Sequence, residues 1–113
     1  MRPTVLVDAR NVLRSRWPNI PEVELVERIA AWAEREGVEP VVVFDGGAPD
    51  ADAGVRVVGT GPHSADDWLT VEAARLVDEG TPYWLITSDR ELRRRAGQAA
   101  QRTIGGGSFA RTI

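Results

Sequence analysis

The sequence predicts an α/β domain in which a mainly parallel sheet carries helices on both faces. Short runs of apolar and β-branched residues recur along the chain, and they lack the polar alternation of a sheet with one wet face. Amphipathic segments with helical spacing separate most of these runs, so helices are expected to connect successive strands. The length of 113 residues favours one domain that spans residues 1–113.

The first third of the chain predicts a buried strand followed by a helix. Thr4 to Val7 is continuously apolar or β-branched, as in a strand covered on both faces. Ala9 to Ile20 contains Trp-Pro-Asn and is predicted to be a loop or a short broken helix. Pro21 suits the first turn of the helix that follows, and Gly37 suits the residue just beyond its end.

The middle third predicts two more strands and a second long helix. Val41 to Phe44 is a second buried strand. A small, polar loop separates it from a third strand over Val55 to Val58. A helix is expected from about Ala65 to Glu79, and Gly80 ends it.

The last third predicts shorter elements. Tyr83 to Thr87 is a fourth strand, a short helix is expected from about Asp89 to Ala96, and Gln101 to Ile104 is a fifth strand. The Gly-rich tail from Gly105 to Phe109 is predicted to be a loop. No element is assigned to Ala110 through Ile113.

Carboxylates follow three of the predicted strands. Asp8, Asp45 and Asp89 each come at or just after the end of an apolar run, and Asp66 and Asp67 begin the helix that leads into the fourth strand. In an open parallel sheet, ligands bind beyond the carboxyl ends of the strands. A helix that precedes a parallel strand starts at that same edge. The five acids are therefore expected to share one site.

Crowded carboxylates raise one another's pKa, and a divalent cation removes the repulsion. All-oxygen ligation favours Mg²⁺ or Mn²⁺ over zinc, and a carboxylate-held Mg²⁺ commonly acts on phosphate. The chain has no cysteine, no lysine and one histidine, His63. These absences exclude disulfides, thiolate metal sites, lysine phosphate loops and multi-histidine sites.

Each acidic motif also has a purely structural interpretation. Ser64-x-x-Asp67 and Ser88-x-x-Glu91 are N-terminal helix caps by pattern, and Asp45-Gly is a common turn. Helix caps do not explain why carboxylates also follow the first, second and fourth strands. The joint pattern therefore favours a site.

All 14 basic residues are arginine, and residues 90–113 carry six of them against one acid. This asymmetry indicates either a polyanion-binding segment or a solvated helix face. The arginines that flank the acids are the candidate phosphate contacts, namely Arg10, Arg14, Arg90, Arg93 and Arg94. The four tryptophans are predicted to be core residues, with Trp17, in the loop, as the exception.

Five motifs in order resemble the NYN domain of the YacP-like group, within the PIN-like nuclease superfamily. They are Val-Asp-Ala-Arg-Asn (7–11), Val-Val-Phe-Asp-Gly (42–46), Ser-Ala-Asp-Asp (64–67), Thr-Ser-Asp-Arg-Glu-Leu (87–92) and Gly-Gly-Ser-Phe-Ala (106–110). The resemblance implies a three-layer α/β/α fold with strand order 3-2-1-4-5. It also implies hydrolysis of phosphodiester bonds, foremost in RNA, with Mg²⁺ or Mn²⁺.

The resemblance also implies roles for individual residues. Asp8, Asp67 and Asp89 would be the main metal-binding acids. Asp66 would be a further ligand or would position the attacking water. Asn11 would orient Asp8 or the phosphate.

Asp45 matches an acid after the second strand, which would line the same edge and join the metal ligands. The chain departs from the family at two positions. Ala9 stands where Gly is common, and Ser64 stands where nucleases of the flap-endonuclease type have a Glu before Ala-Asp-Asp. Glu91 is a candidate replacement for that ligand.

Two other function classes stay open. The missing Glu ligand suits a non-catalytic RNA-binding or ribosome-associated module with the same fold. A phosphatase with a nucleophilic aspartate usually shows Asp-x-Asp after its first strand, whereas this chain has Asp8-Ala9-Arg10. The absence of cysteine fits a cytoplasmic protein, and neither an apolar run of membrane-spanning length nor a signal peptide is expected. Related domains are often dimeric, so a homodimer is a further expectation.

Overall fold

Five strands form one all-parallel sheet. The structure is a computed structural model that describes residues 1–113. Its strands are β1 (Thr4–Asp8), β2 (Glu39–Phe44), β3 (Arg56–Gly59), β4 (Tyr83–Ile86) and β5 (Arg102–Ile104). They lie in the order β3-β2-β1-β4-β5, and every neighbouring pair is parallel. The predicted fold class and strand order are confirmed.

Helices cover both faces of the sheet. They are α1 (Ala9–Arg14), α2 (Glu22–Glu36), α3 (Ala65–Glu79), α4 (Arg90–Ala96) and α5 (Gly106–Thr112). One core cluster joins α1, α2 and α5 to the face of β1 that carries Val5 and Val7. The other joins α3 and α4 to the face that carries Leu6. Successive side chains of a strand point to opposite faces, so β1 supplies both cores. None of these helices is long and apolar enough to cross a membrane.

The prediction of a loop for the Gly-rich tail is wrong, because the chain forms α5 there. Phe109 is 1% exposed, and its ring packs edge-on against Trp32 with a centroid distance of 4.8 Å. Ala110 is also buried. Tertiary packing of an apolar face stabilises a short helix that its glycines alone would disfavour. The stretch predicted to be a loop or a short broken helix begins with the short helix α1.

The start of α4 differs from the capping pattern in the sequence. The N-cap is Asp89, whose Oδ1 accepts a hydrogen bond from the backbone N–H of Leu92 at 2.9 Å. The hydroxyl of Ser88 instead accepts a hydrogen bond from the backbone N–H of Gly106 at 2.8 Å. The Ser88-x-x-Glu91 cap is therefore wrong. Ser88 links the loop after β4 to α5.

The central position of β1 brings the acidic motifs to one edge. β1 lies between β2 and β4, with Asp8 in register with Val43 and Val7 in register with Ile86. The chain leaves all three strands in the same direction, so the segments that begin at Asp8, Asp45 and Thr87 emerge side by side. This edge holds the candidate site.

Candidate functional site

Asp8 is the buried centre of the acidic edge. It ends β1, forms the N-cap residue of α1, and is 5% exposed. Burial raises the pKa of Asp8 above its usual range, and the negative charges of Asp66 and Asp45 raise it further, while a hydrogen bond from Thr87 opposes them. The folded chain therefore holds a carboxylate where its negative charge is unfavourable.

Asp45 and Asp66 bring β2 and α3 to the same place. Asp45 Oδ1 accepts a hydrogen bond from the backbone N–H of Ala65 at 2.7 Å, which fixes the start of α3 beside the end of β2. Burial raises the pKa of Asp66, followed by the negative charges of Asp89 and Asp45, and Arg95 opposes the shift. Four of the predicted acids, Asp8, Asp45, Asp66 and Asp89, thus form one electrostatically coupled group.

Asp67 interacts with α4. Its Oδ1 accepts a hydrogen bond from Arg95 Nη2 at 2.9 Å, and its side chain is 63% exposed. This hydrogen bond with Arg95 lowers the pKa of Asp67. Its backbone N–H donates to the hydroxyl of Ser64 at 3.0 Å, which confirms the predicted cap. The metal-binding role of Asp67 stays a prediction.

Thr87, which the sequence analysis did not single out, connects two of the acids. Its hydroxyl donates to Asp8 Oδ2 at 3.0 Å and accepts from the backbone N–H of Asp89 at 3.2 Å. Thr87 is fully buried. The sequence shows only that Thr87 follows a predicted strand. Its contact with Asp8 becomes predictable once β4 is known to lie beside β1.

Asn11 connects three segments around the edge. Its side-chain Oδ1 accepts a hydrogen bond from the backbone N–H of Ser88 at 2.9 Å. The hydroxyl of Ser88 in turn accepts from Gly106, as described above. The side chain of Asn11 therefore holds the loop that carries Asp89, while a hydrogen bond from the backbone of Asn11 lowers the pKa of Asp8, against the larger effect of burial that raises it.

Two of the five arginines predicted to contact phosphate are held by protein groups. Arg93 Nε donates to the carbonyl oxygen of Thr87 at 2.8 Å. Arg94 forms a salt bridge with Glu91 one turn earlier on α4. Arg93 therefore stabilises the loop after β4. The carboxylate of Glu91 pairs with an arginine of its own helix.

The other three arginines are exposed. Arg10 Nε lies 3.6 Å from Asp45 Oδ2, beside the acidic edge. Arg14 and Arg90 are exposed and form no salt bridge. Arg14 and Arg90 are therefore available to a polyanion, whereas Arg10 already pairs with Asp45.

The acids share an edge without forming a finished metal centre. No group of three or more aspartate, glutamate or histidine side chains is close enough together to hold one ion. Asp8 is held by the hydroxyl of Thr87, and Asp89 is held as the N-cap of α4 by the backbone N–H of Leu92. Asp66 is half-buried in the first turn of α3.

Comparison with solved structures identifies the fold. Rae1 (YacP) from Bacillus subtilis superposes with a TM-score of 0.76 and 24% identity, over 99% of this chain and 73% of that one. A mutant of the same protein gives 0.77 and 24%, over 97% and 74%. A mutant T5 5′-exonuclease gives 0.64 and 16%, over 91% of this chain and 50% of that one. No family model and no curated protein matches the chain.

These similarities confirm the predicted resemblance at the level of the fold. The five-stranded parallel sheet in the order 3-2-1-4-5 is that of the PIN-like nucleases. A second T5 structure in the comparison, of a protein co-crystallised with metal ions, has a TM-score of 0.65 and 14% identity.

Proposed function

We propose that this chain, which has the fold of the PIN-like nucleases, hydrolyses phosphodiester bonds of RNA at its acidic edge with Mg²⁺ or Mn²⁺. The observation that carries the proposal is the burial of Asp8 at the carboxyl end of β1, where Thr87 links it to Asp89 and Asp45 fixes the start of the helix that carries Asp66. A structural protein gains nothing from burying one carboxylate next to others, because the repulsion destabilises its fold. Perturbed carboxylates of this kind are typical of functional sites.

The donor set fits a hard divalent cation. All the groups are carboxylate oxygens, the ligands that Mg²⁺ and Mn²⁺ prefer. A cation would also compensate the burial, and the smaller repulsion between the acids, that raise the pKa of Asp8 and Asp66. The residues that would hold it are Asp8, Asp45, Asp66 and Asp89. When bound, the ion supplies an activated water and neutralises phosphate charge.

The chain's own residues would position the acids and the substrate. Thr87 fixes the rotamer of Asp8 through its hydroxyl, and Asn11 holds the loop that carries Asp89. Asp66, in the first turn of α3, would be a further ligand or would position the attacking water. Asp67 would have to release Arg95 before it could act as a ligand.

Three arginines would bind the phosphates that flank the cleaved bond. Arg10, Arg14 and Arg90 are exposed and lie on the helices that begin at Asp8 and Asp89. A guanidinium donates through a rigid fork that matches phosphate oxygens. Cleavage should therefore weaken as salt concentration rises.

The test is cleavage of end-labelled single-stranded and structured RNA with Mn²⁺. Asp8→Asn and Asp89→Asn should each lose about 100-fold or more of the rate, beyond the 10- to 100-fold typical for outer partners of a metal site. Asp78→Asn is the matched control, because Asp78 is exposed near the far end of α3. Equal rates in all four proteins would exclude the proposed function. A DNA oligonucleotide of the same sequence tests the preference for RNA.

One observation favours a second candidate, a non-catalytic RNA-binding or ribosome-associated module. The acids do not form a ready metal centre, and Ser64 acts as a helix cap where related nucleases carry a Glu. Calorimetric titration separates the two functions. Absence of Mn²⁺ binding at millimolar metal, with RNA binding intact, would favour the module. Co-sedimentation with ribosomes, and sedimentation of the chain alone, would test ribosome association and a homodimer.

A further inference from the structure

Trp17 is an exposed aromatic side chain with no role in the core. It is 88% exposed, in the turn that follows α1. Trp32 is buried in the core, and Trp68 and Trp84 are half-buried beneath Arg56 and Arg102. An indole left in water is costly, since aromatic rings contribute most when their large apolar area is covered.

The turn that carries Trp17 is anchored on both sides. Before it, Arg16 Nη1 donates to the carbonyl oxygen of Ala110 at 2.9 Å, and the hydroxyl of Ser15 donates to the carbonyl oxygen of Asn11 at 2.7 Å. After it, Ile20 packs against the core cluster. Trp17 is therefore held in the solvent by a fixed frame.

Positive charge lies on α1, the helix that precedes Trp17, and leads back to the acidic edge. Arg10 and Arg14 are one turn apart on α1, and both are exposed. Together with Leu13, Asn19 and Ile20 they line a hollow of about 330 Å³. Arg10 also lies beside Asp45, so the hollow adjoins the candidate site.

We propose that Trp17, Arg14 and Arg10 form a docking track for single-stranded nucleic acid. An unpaired base would stack on Trp17, and the following phosphates would contact Arg14 and then Arg10. Stacking on an exposed ring requires an unpaired base face, which a duplex does not offer. That the track feeds a reaction centre rests on the proposed function; the binding itself does not.

The spacing suits a short segment of strand. The six residues of α1 extend about 9 Å at 1.5 Å per residue. Stacked nucleotides advance about 3.4 Å along one strand, so about three of them would connect the turn to Asp8. The track is thus long enough to hold a strand in register with the acids.

Binding measured without metal tests the track separately from cleavage. The probe is a labelled oligouridylate of about 12 nucleotides, within the site sizes typical of such surfaces, in EDTA. Trp17→Ala should weaken binding by about 5- to 150-fold, the range of base–aromatic stacking, and Trp17→Phe should retain most of it. Arg14→Ala should lower the slope of log affinity against log salt by about 0.7.

Two controls lie away from the track. Arg2→Ala removes the same charge at the opposite edge of the sheet, where Arg2 pairs with Glu39, and Val71→Ala shortens an exposed apolar side chain on α3. Both should bind like the wild type. The fluorescence of Trp17, obtained as the difference between wild type and Trp17→Phe, should be quenched by the oligonucleotide.

Several results would overturn the track. The first is undetectable binding of the oligonucleotide by the wild type. The second is equal binding by wild type and Trp17→Ala. The third is that Trp17→Ala weakens the binding of a duplex as much as it weakens the binding of the single strand. A change of oligomeric state in Trp17→Ala, without loss of oligonucleotide binding, would instead assign the ring to a protein interface. If the Asp8→Asn variant cleaves normally while the track binds as expected, the proposed function fails and the track stands.

Discussion

Alanine at position 106 would press on the side chain that ties the loop after β4 to α1. A Cβ added to Gly106 would lie 2.1 Å from Asn11 Oδ1 and 3.2 Å from the Asn11 carbonyl oxygen. Real Cβ atoms essentially never approach another atom within 3.0 Å. The Asn11 side chain would therefore have to move and release the backbone N–H of Ser88.

The expected cost follows from three contributions. A hydrogen bond contributes about 0.5–1.5 kcal/mol net, and overpacking of a close contact costs about 1–3 kcal/mol. Alanine recovers up to about 1 kcal/mol over glycine through helix propensity. Gly106→Ala should therefore lower the free energy of unfolding by about 0.5–4.5 kcal/mol. Each kcal/mol lost should lower Tm by about 4–8 °C in a domain of this size.

Urea denaturation measures the effect, and Gly107→Ala is the matched control. A Cβ at Gly107 would meet nothing closer than Arg111 Nη1 at 3.7 Å, so this variant should change stability by less than about 1 kcal/mol. In an Asn11→Ala background the cost of Gly106→Ala should largely vanish. Equal stability of the two glycine variants, or an unchanged cost in that background, would refute the reasoning.

Three further changes test other contacts. Tyr83→Phe removes the hydroxyl that donates to the buried Ala96 carbonyl at 2.6 Å, and urea denaturation should show a loss of about 1–2 kcal/mol; no loss would mean that water replaces the bond. The hydrogen bond from Arg75 lowers the pKa of Glu72 below its ordinary value of 4.5, so this pair stabilises the fold above about pH 4.5 and the benefit is lost as the pH falls through the folded-state pKa. Glu72→Gln should then cost about 1 kcal/mol at pH 7, because Arg75 is half exposed, and a gap from wild type that does not narrow as the pH falls below 4.5 would contradict this. Asp8→Asn without metal should be at least as stable as wild type at pH 7, and Mn²⁺ at about 100 times its Kd should stabilise only the wild type, by about 2.7 kcal/mol; equal shifts in Tm would place the ion elsewhere.

Local signals were sufficient for the long helices. The helix predicted from Ala65 to Glu79 has those bounds in the structure, because Ser64 caps its first turn and Gly80 ends it at φ +71°. Both signals act within one turn of the chain. The strand order followed from the resemblance, and the structure confirms it.

Contacts between distant segments decided what the sequence could not. α5 is stabilised because Phe109 packs against Trp32, a residue far away along the chain. Adjacent residues of a helix point about 100° apart, so the packing of α3 decides that Asp66 meets the strand-end acids while Asp67 meets Arg95. Arg93 was predicted to contact phosphate because it lies near an acid in the sequence. The sequence could not show that its guanidinium donates to a backbone carbonyl.

The hydrogen bonds that hold the acidic edge join segments that lie far apart along the chain. Thr87 reaches Asp8 across 79 positions, and Ser88 accepts from Gly106 near the end of the sequence. Synthesis proceeds from the N-terminus, and contacts between distant residues close late. A growing chain therefore carries Asp8 and Asp45 long before α5 can lock the loop that bears Asp89. The edge is therefore complete only after the segment that forms α5 has been synthesised.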